Sequence, residues 1–79
     1  MRVIIRNPER ILFEGFTRQA ILPGEDGEFS VWDFHQTLIA ALKKGMVILH
    51  SGKTIAPERI EIGSGIATLD RNELMILCL

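Results

Sequence analysis

Apolar residues in this chain recur in short runs, and most of the runs alternate with polar positions. Alternation of period two sends successive side chains to opposite faces of a strand, so each run predicts a half-buried β-strand. Val3, Ile4 and Ile5 between Arg2 and Arg6 predict a short edge strand. Asn7-Pro8 stops it, because proline cannot donate to a sheet ladder. Ile11 to Glu14 predict a second strand, broken at Gly15. From Phe16 to Leu22 the alternation places Phe16, Arg18, Ala20 and Leu22 on one face and Thr17, Gln19 and Ile21 on the other. Arg18 argues that this strand is central without being buried on both sides. Pro23-Gly24 reads as a turn, after which Gly27 opens a strand from Glu28 to Trp32.

Past Gly45, Met46 to His50 is rich in β-formers, and Ser51-Gly52-Lys53 predicts a tight turn back into Thr54-Ile55-Ala56. Glu58 to Ile62 alternates, with Ile60 and Ile62 on one face and Arg59 and Glu61 on the other. Gly63-Ser64-Gly65 reads as a bend or bulge. Ile66 to Leu69, an Asp70-Arg71-Asn72 turn and Leu74 to Leu79 predict a final hairpin. Turn signals at this spacing imply an all-β fold: a small antiparallel β-sandwich of about eight to ten short strands. One segment breaks the pattern. Between Asp33 and Lys44, apolar Phe34, Leu38, Ile39, Ala41 and Leu42 recur with a helical period. Asp33 suits a helix start, Lys43 and Lys44 its end, and Gly45 a left-handed cap. Periodicity alone therefore predicts a short amphipathic helix here.

Seventy-nine residues make a single domain, 1–79, with a thin core. The hydrophobic share of 47% still supports such a core and leaves some apolar surface for a partner. Net charge is −1 with Lys and Arg scattered, which argues against a nucleic-acid binder with its concentrated basic footprint. No apolar run approaches the roughly 18 residues that cross a bilayer. No basic, apolar and small-residue pattern of a secretory signal opens the sequence. The lone cysteine, Cys78, cannot form an internal disulfide and fits a reducing compartment. It alternates with Leu74 and Ile76 and is expected to behave as a small buried hydrophobe.

Candidate chemistry is sparse. His35, His50 and Cys78 lack metal-ligand spacing, and no nucleophile, base and orienting group stand together. No glycine-rich loop ends in Gly-Lys-Ser/Thr, so no phosphate cradle is predicted. Neither catalysis, a metal nor a cofactor is expected. What stands out instead is charge: Glu25, Asp26, Glu28 and Asp33 cluster in sequence. Trp32 and Phe34 flank Asp33 and are either interface anchors or caps on the core.

Several short motifs stand in a recognisable order. They are Pro8-Glu9, then Phe13-Glu14-Gly15, then Gly24, Gly27, Glu28, Phe29 and Val31 in one loop. His35 follows, then Leu42, Lys43 and Gly45 closing a Leu-rich segment, then Gly63-Ser64-Gly65-Ile66. This order resembles the amino-terminal domain of the epsilon subunit of F-type ATP synthases over nearly the whole chain. Ser30, Asp33-Phe34, Gln36-Thr37 and Lys44 depart from that pattern, and two prolines and a glycine are lost with them.

The resemblance implies a β-sandwich in which Asp33 to Lys44 is a loop followed by a strand, against the helical period. It implies a non-catalytic rotor component of the central stalk, with the gamma subunit and the c-ring subunits as partners. Such a component couples ion flow to ATP synthesis, peripherally on the cytoplasmic side of a bacterial inner membrane. A c-ring-facing loop would comprise Glu25, Asp26, Glu28, Trp32, Asp33, Phe34 and His35, with Glu28 toward basic ring loops. Leu38, Ile39 and Leu42 would pack inward and brace it. The family's C-terminal helical hairpin, which can inhibit ATP hydrolysis, has no counterpart in these residues. An exposed gamma-binding surface leaves self-association of the domain open. The competing expectation is a free-standing sandwich that binds a small ligand or an unrelated protein.

Overall fold

A computed structural model describes residues 1–52 and 54–79. The chain forms strands β1 (Arg2–Arg6), β2 (Ile11–Phe16), β3 (Gln19–Gly24), β4 (Gly27–Trp32) and β5 (Leu38–Leu42). It continues with β6 (Gly45–His50), β7 (Glu58–Ile62), β8 (Gly65–Asp70) and β9 (Glu73–Cys78). The strands lie in the order β2-β1-β9-β8-β5-β3-β6-β7, with β4 on the other side of β3. Inward residues from β1 and from β3 through β9 meet in one apolar cluster, so the sheet folds on itself into two layers. β2 adds Leu12 and Phe13 at the margin of that cluster. The all-β sandwich is the architecture that the turn spacing implied.

Five local readings change. The predicted edge strand, β1, is interior: β2 pairs it antiparallel on one side and β9 pairs it parallel on the other. Val3 and Ile5 are consequently fully buried. β1 and β9 form the one parallel pair among the described strands; the other pairings are antiparallel.

The predicted strand from Phe16 to Leu22 is two pieces. β2 runs through Gly15 and ends at Phe16, Thr17 and Arg18 make a corner, and β3 begins at Gln19. Backbone bonding fixes the corner. Arg18 N–H donates to His50 O at 3.0 Å, and Arg18 O accepts from Asp33 N–H at 2.9 Å. Thr17, 3% exposed, holds its hydroxyl 3.0 Å from Gln19 O and 2.9 Å from His50 O.

Pro23 and Gly24 lie in β3, and the turn is Glu25-Asp26. Proline fits this strand because its nitrogen faces a gap in the ladder. Pairing of β3 with β6 stops at Ile21, and β5 takes over only at Gly24. Gly24 is required by contact, since a Cβ there would stand 2.6 Å from Gly27 O and 2.8 Å from the Phe29 ring. Gly27, with φ of +131°, supplies a backbone conformation open to glycine.

Asp33 to Lys44 forms a turn, a short extended stretch and then β5, as the family resemblance implied and the helical period did not. Leu38 to Leu42 pairs with Leu69 to Gly65 of β8, and burial alternates along it. The ladder offers these residues more contact than an isolated helical turn could. The Ser51-Gly52-Lys53 turn lies partly outside the described residues, and Thr54-Ile55-Ala56 is not a strand. β6 instead pairs with β7, Gly45 opposite Ile62 and Leu49 opposite Glu58. The last hairpin stands as read: β8 and β9 are joined by Arg71 and Asn72 at φ of 51° and 59°, the left-handed pair that matches strand twist.

Candidate functional site at the two ends of the sandwich

The register gathers the loops at two opposite ends. At one end lie the Glu25-Asp26 turn, the Leu42 to Gly45 link and the Ile62 to Gly65 link. At the other lie Met1, the Thr17-Arg18 corner, the Trp32 to Leu38 turn and the Arg71-Asn72 turn. β4 runs from one end to the other, so its two ends stand about 17 Å apart at about 3.3 Å per residue.

The seven residues expected on one c-ring-facing loop are therefore not together. Glu25, Asp26 and Glu28 sit at the first end, which we call the acidic end. Trp32, Asp33, Phe34 and His35 sit at the second, the aromatic end. A fully formed strand between them leaves no single loop for the set to share.

At the acidic end, Glu25, Asp26 and Glu28 are all exposed. None of them takes part in the ion pairs found among the described residues. Their charges therefore face solvent uncompensated by direct contact, in a field that favours a cationic surface. The turn that carries them is held by its backbone: Glu25 N–H donates to Ala41 O at 3.0 Å, and Lys43 N–H donates to Pro23 O at 2.9 Å.

The aromatic end adds side-chain bonds to the backbone bonds of its corner. The Met1 ammonium donates to Thr17 O at 2.7 Å and forms an ion pair with the Asp33 carboxylate. Asp33 is thus engaged in a salt link and does not belong to the acidic patch inferred from its sequence neighbours. Phe34 N–H donates to the Asn72 side-chain oxygen at 2.8 Å, while Phe34 itself stands at φ of +63°. A β-carbon at positive φ is strained, and the Asn72 bond helps to hold it there. Phe34 is 85% exposed and Trp32 56% exposed, so neither caps the core. His35 is exposed, its Nδ1 lying 2.9 Å from Gln36 O.

Leu42 is buried and Leu38 packs against the core from its margin. Ile39 is not one of them. At 78% exposed it points outward, because a strand, unlike a helix, sends neighbouring residues to opposite faces. Cys78 is buried against β1, its thiol donating to Arg6 O at 3.5 Å, and burial raises its pKa above the ordinary thiol value. Among the described residues, no three His, Cys, Asp or Glu side chains converge as a metal site would require. The tie from Asn72 to Phe34 had no signal in the sequence beyond the turn itself, since 38 positions separate the partners.

Comparison with known proteins adds an independent line. The family described as the ATP synthase delta/epsilon chain β-sandwich domain matches residues 1–79. The ATP synthase epsilon chain of Campylobacter jejuni is 32% identical over 73 residues, covering 92% of this chain and 56% of the relative. The chloroplastic epsilon chain of Thalassiosira pseudonana is 32% identical over 77 residues, covering 98% and 56%. This chain thus spans about half the length of the curated relatives it matches. Among solved structures, a chain of the Euglena gracilis mitochondrial ATP synthase (an assembly of OSCP, F1 and c-ring) superposes with TM-score 0.85 at 13% identity. That match covers 96% of this chain and 48% of the other. A chain of the central stalk and c-ring structure from Tetrahymena thermophila reaches TM-score 0.77 at 14% identity, covering 99% and 62%. Motif order, strand architecture and a family match from the first residue to the last converge: this chain belongs to the delta/epsilon-chain β-sandwich family of ATP synthases.

Proposed function

We propose that this domain is a non-catalytic component of an ATP synthase rotor that links the gamma subunit to the c ring and so couples ion translocation to ATP synthesis. It works peripherally, on the cytoplasmic side of a bacterial inner membrane. The observation that carries this reading is the family match over residues 1–79. Curated relatives named ATP synthase epsilon chain support it, as do solved neighbours drawn from stalk and c-ring assemblies.

A link needs two contact surfaces, and the separation of acidic and aromatic ends supplies two. Glu25, Asp26 and Glu28 are assigned to the ring, whose polar loops in the family carry a basic residue. Trp32 and Phe34, with Asp33 and His35 beside them, are assigned to the second partner. Exposed aromatics of this kind anchor interfaces far more effectively than exposed charges do. The acidic end accordingly sets orientation, and the aromatic end supplies much of the grip.

The test is reconstitution with gamma and c-ring subunits of the same organism. The chain should co-purify with both. Asp26→Lys with Glu28→Lys should weaken ring attachment and coupling while the circular dichroism spectrum stays that of the parent. Unchanged coupling in that variant removes these residues from the mechanism. Capture of neither subunit would favour the free-standing binding module instead.

A further inference from the structure

Strand β5 is paired along one edge only for most of its length. Leu38 to Leu42 match β8 throughout, whereas on the opposite edge Leu42 alone has a partner, Gly24. Two bonds give the direction of the open groups. Ala41 O accepts from Glu25 N–H and Lys43 N–H donates to Pro23 O, so both residues turn their backbone groups away from β8. In an antiparallel strand the N–H and C=O of one residue point the same way and alternate residue by residue. Ile39 therefore also turns both groups away from β8. They face an open cleft of about 400 Å³, whose walls include Glu25, Asp26, Gly27, Phe29 and Ile39 itself.

We propose that this cleft receives an extended segment of a partner protein as an added strand on β5, and that the segment carries lysine or arginine. Edge strands are normally guarded by lysine, proline or a bulge. Leu38-Ile39-Ala40-Ala41 carries none of these, and Lys43 and Lys44 lie beyond the Gly24–Leu42 closure, off the cleft lining. Backbone pairing to Ile39 gives the segment its register, and Phe29 with exposed Ile39 gives apolar contact. Glu25 and Asp26 on the rim set the sign of the side chains that fit. The inference concerns the open edge of β5 and goes beyond the rotor reading, with which it shares Glu25 and Asp26 alone.

The probe is an acetylated, amidated octapeptide alternating lysine and valine, titrated into the full isotopically labelled chain and followed by amide NMR. Shifts should centre on Gly27, Phe29, Ile39 and Ala41, and the Ile39 amide should gain protection from hydrogen exchange. Glu25→Lys with Asp26→Lys should weaken binding about tenfold. A glutamate–valine peptide should fail to bind, and so should a lysine–valine peptide N-methylated at alternate residues. The N-methylated arm alters no residue of the protein, so it reads strand addition even if the double variant misfolds. No binding by the lysine peptide overturns the proposal, as does equal binding of the N-methylated form or shifts confined to other faces. Protection of Ile39 that grows with protein concentration alone would put a second copy in the cleft and overturn it too. Because the probe is not an ATP synthase subunit, failure here leaves the rotor reading standing.

Discussion

At the acidic end of the sandwich, glycines let backbones come within touching distance. A Cβ on Gly65 would stand 2.1 Å from Leu77 O, one on Gly63 2.6 Å from Leu79 O, and one on Gly45 2.9 Å from the Pro23 side chain. At the aromatic end, side chains bridge turns that backbone bonds also tie. The Thr17 hydroxyl, the Asp33 carboxylate and the Asn72 amide each bond a neighbouring turn or the chain's ammonium group. Gly52, which shares a hollow with Arg18 and Trp32 at that end, meets nothing within 4 Å. One end closes where side chains are absent, and the other adds particular side chains to its backbone bonds. The first should be intolerant of a side chain at Gly45, Gly63 or Gly65, while the second should yield stepwise as individual bonds are removed.

The contrast can be broken most sharply with two alanines. Gly65→Ala must displace Leu77 or its own strand, and should cost about 3 kcal/mol in urea unfolding. Gly52→Ala has room and should be neutral or stabilising by up to about 1 kcal/mol. Equal stability of the two variants would mean that backbone contact does not close the acidic end. Thr17→Val keeps the shape and removes a buried hydroxyl, which should cost about 1–2 kcal/mol. Asn72→Gly keeps the left-handed turn and frees Phe34 N–H; it should cost about 1 kcal/mol and speed hydrogen exchange at that amide. Unchanged exchange would show that the turn holds Phe34 without Asn72. Smallest of all, Glu25→Gln with Asp26→Asn should shift stability by less than about 0.5 kcal/mol, because these exposed carboxylates enter none of the ion pairs among the described residues.

Most of the strands were legible because one face of each is buried, which imposes period two on the sequence. β7, β8 and the last hairpin fell where alternation and turn residues put them. The failures share a cause: a partner distant in sequence decided the outcome. β1 looked like an edge because its second neighbour, β9, arrives from the far end of the chain. Pro23 looked like a turn because the gap it faces, between β6 and β5, appears only once those strands are in place. Leu38, Ile39, Ala41 and Leu42 mimic a helical period, since apolar Ile39 and Ala41 face outward while Leu38 and Leu42 pack inward. The acidic turn was visible as a charge cluster. Its separation from Trp32 and His35 depended on β4 being fully extended. The bond from Asn72 to Phe34 and the open edge of β5 are properties of the assembled sheet, and no short window of sequence contains them.

The pairing of β1 with β9 also has a consequence for biosynthesis. Cys78 and Arg6, joined by a hydrogen bond, are 72 positions apart in the chain. A ribosome must therefore release almost the whole domain before its first strand gains its second neighbour. Until then Val3 and Ile5 lack the parallel strand that completes their surroundings, so β1 waits as an exposed edge through most of the domain's synthesis.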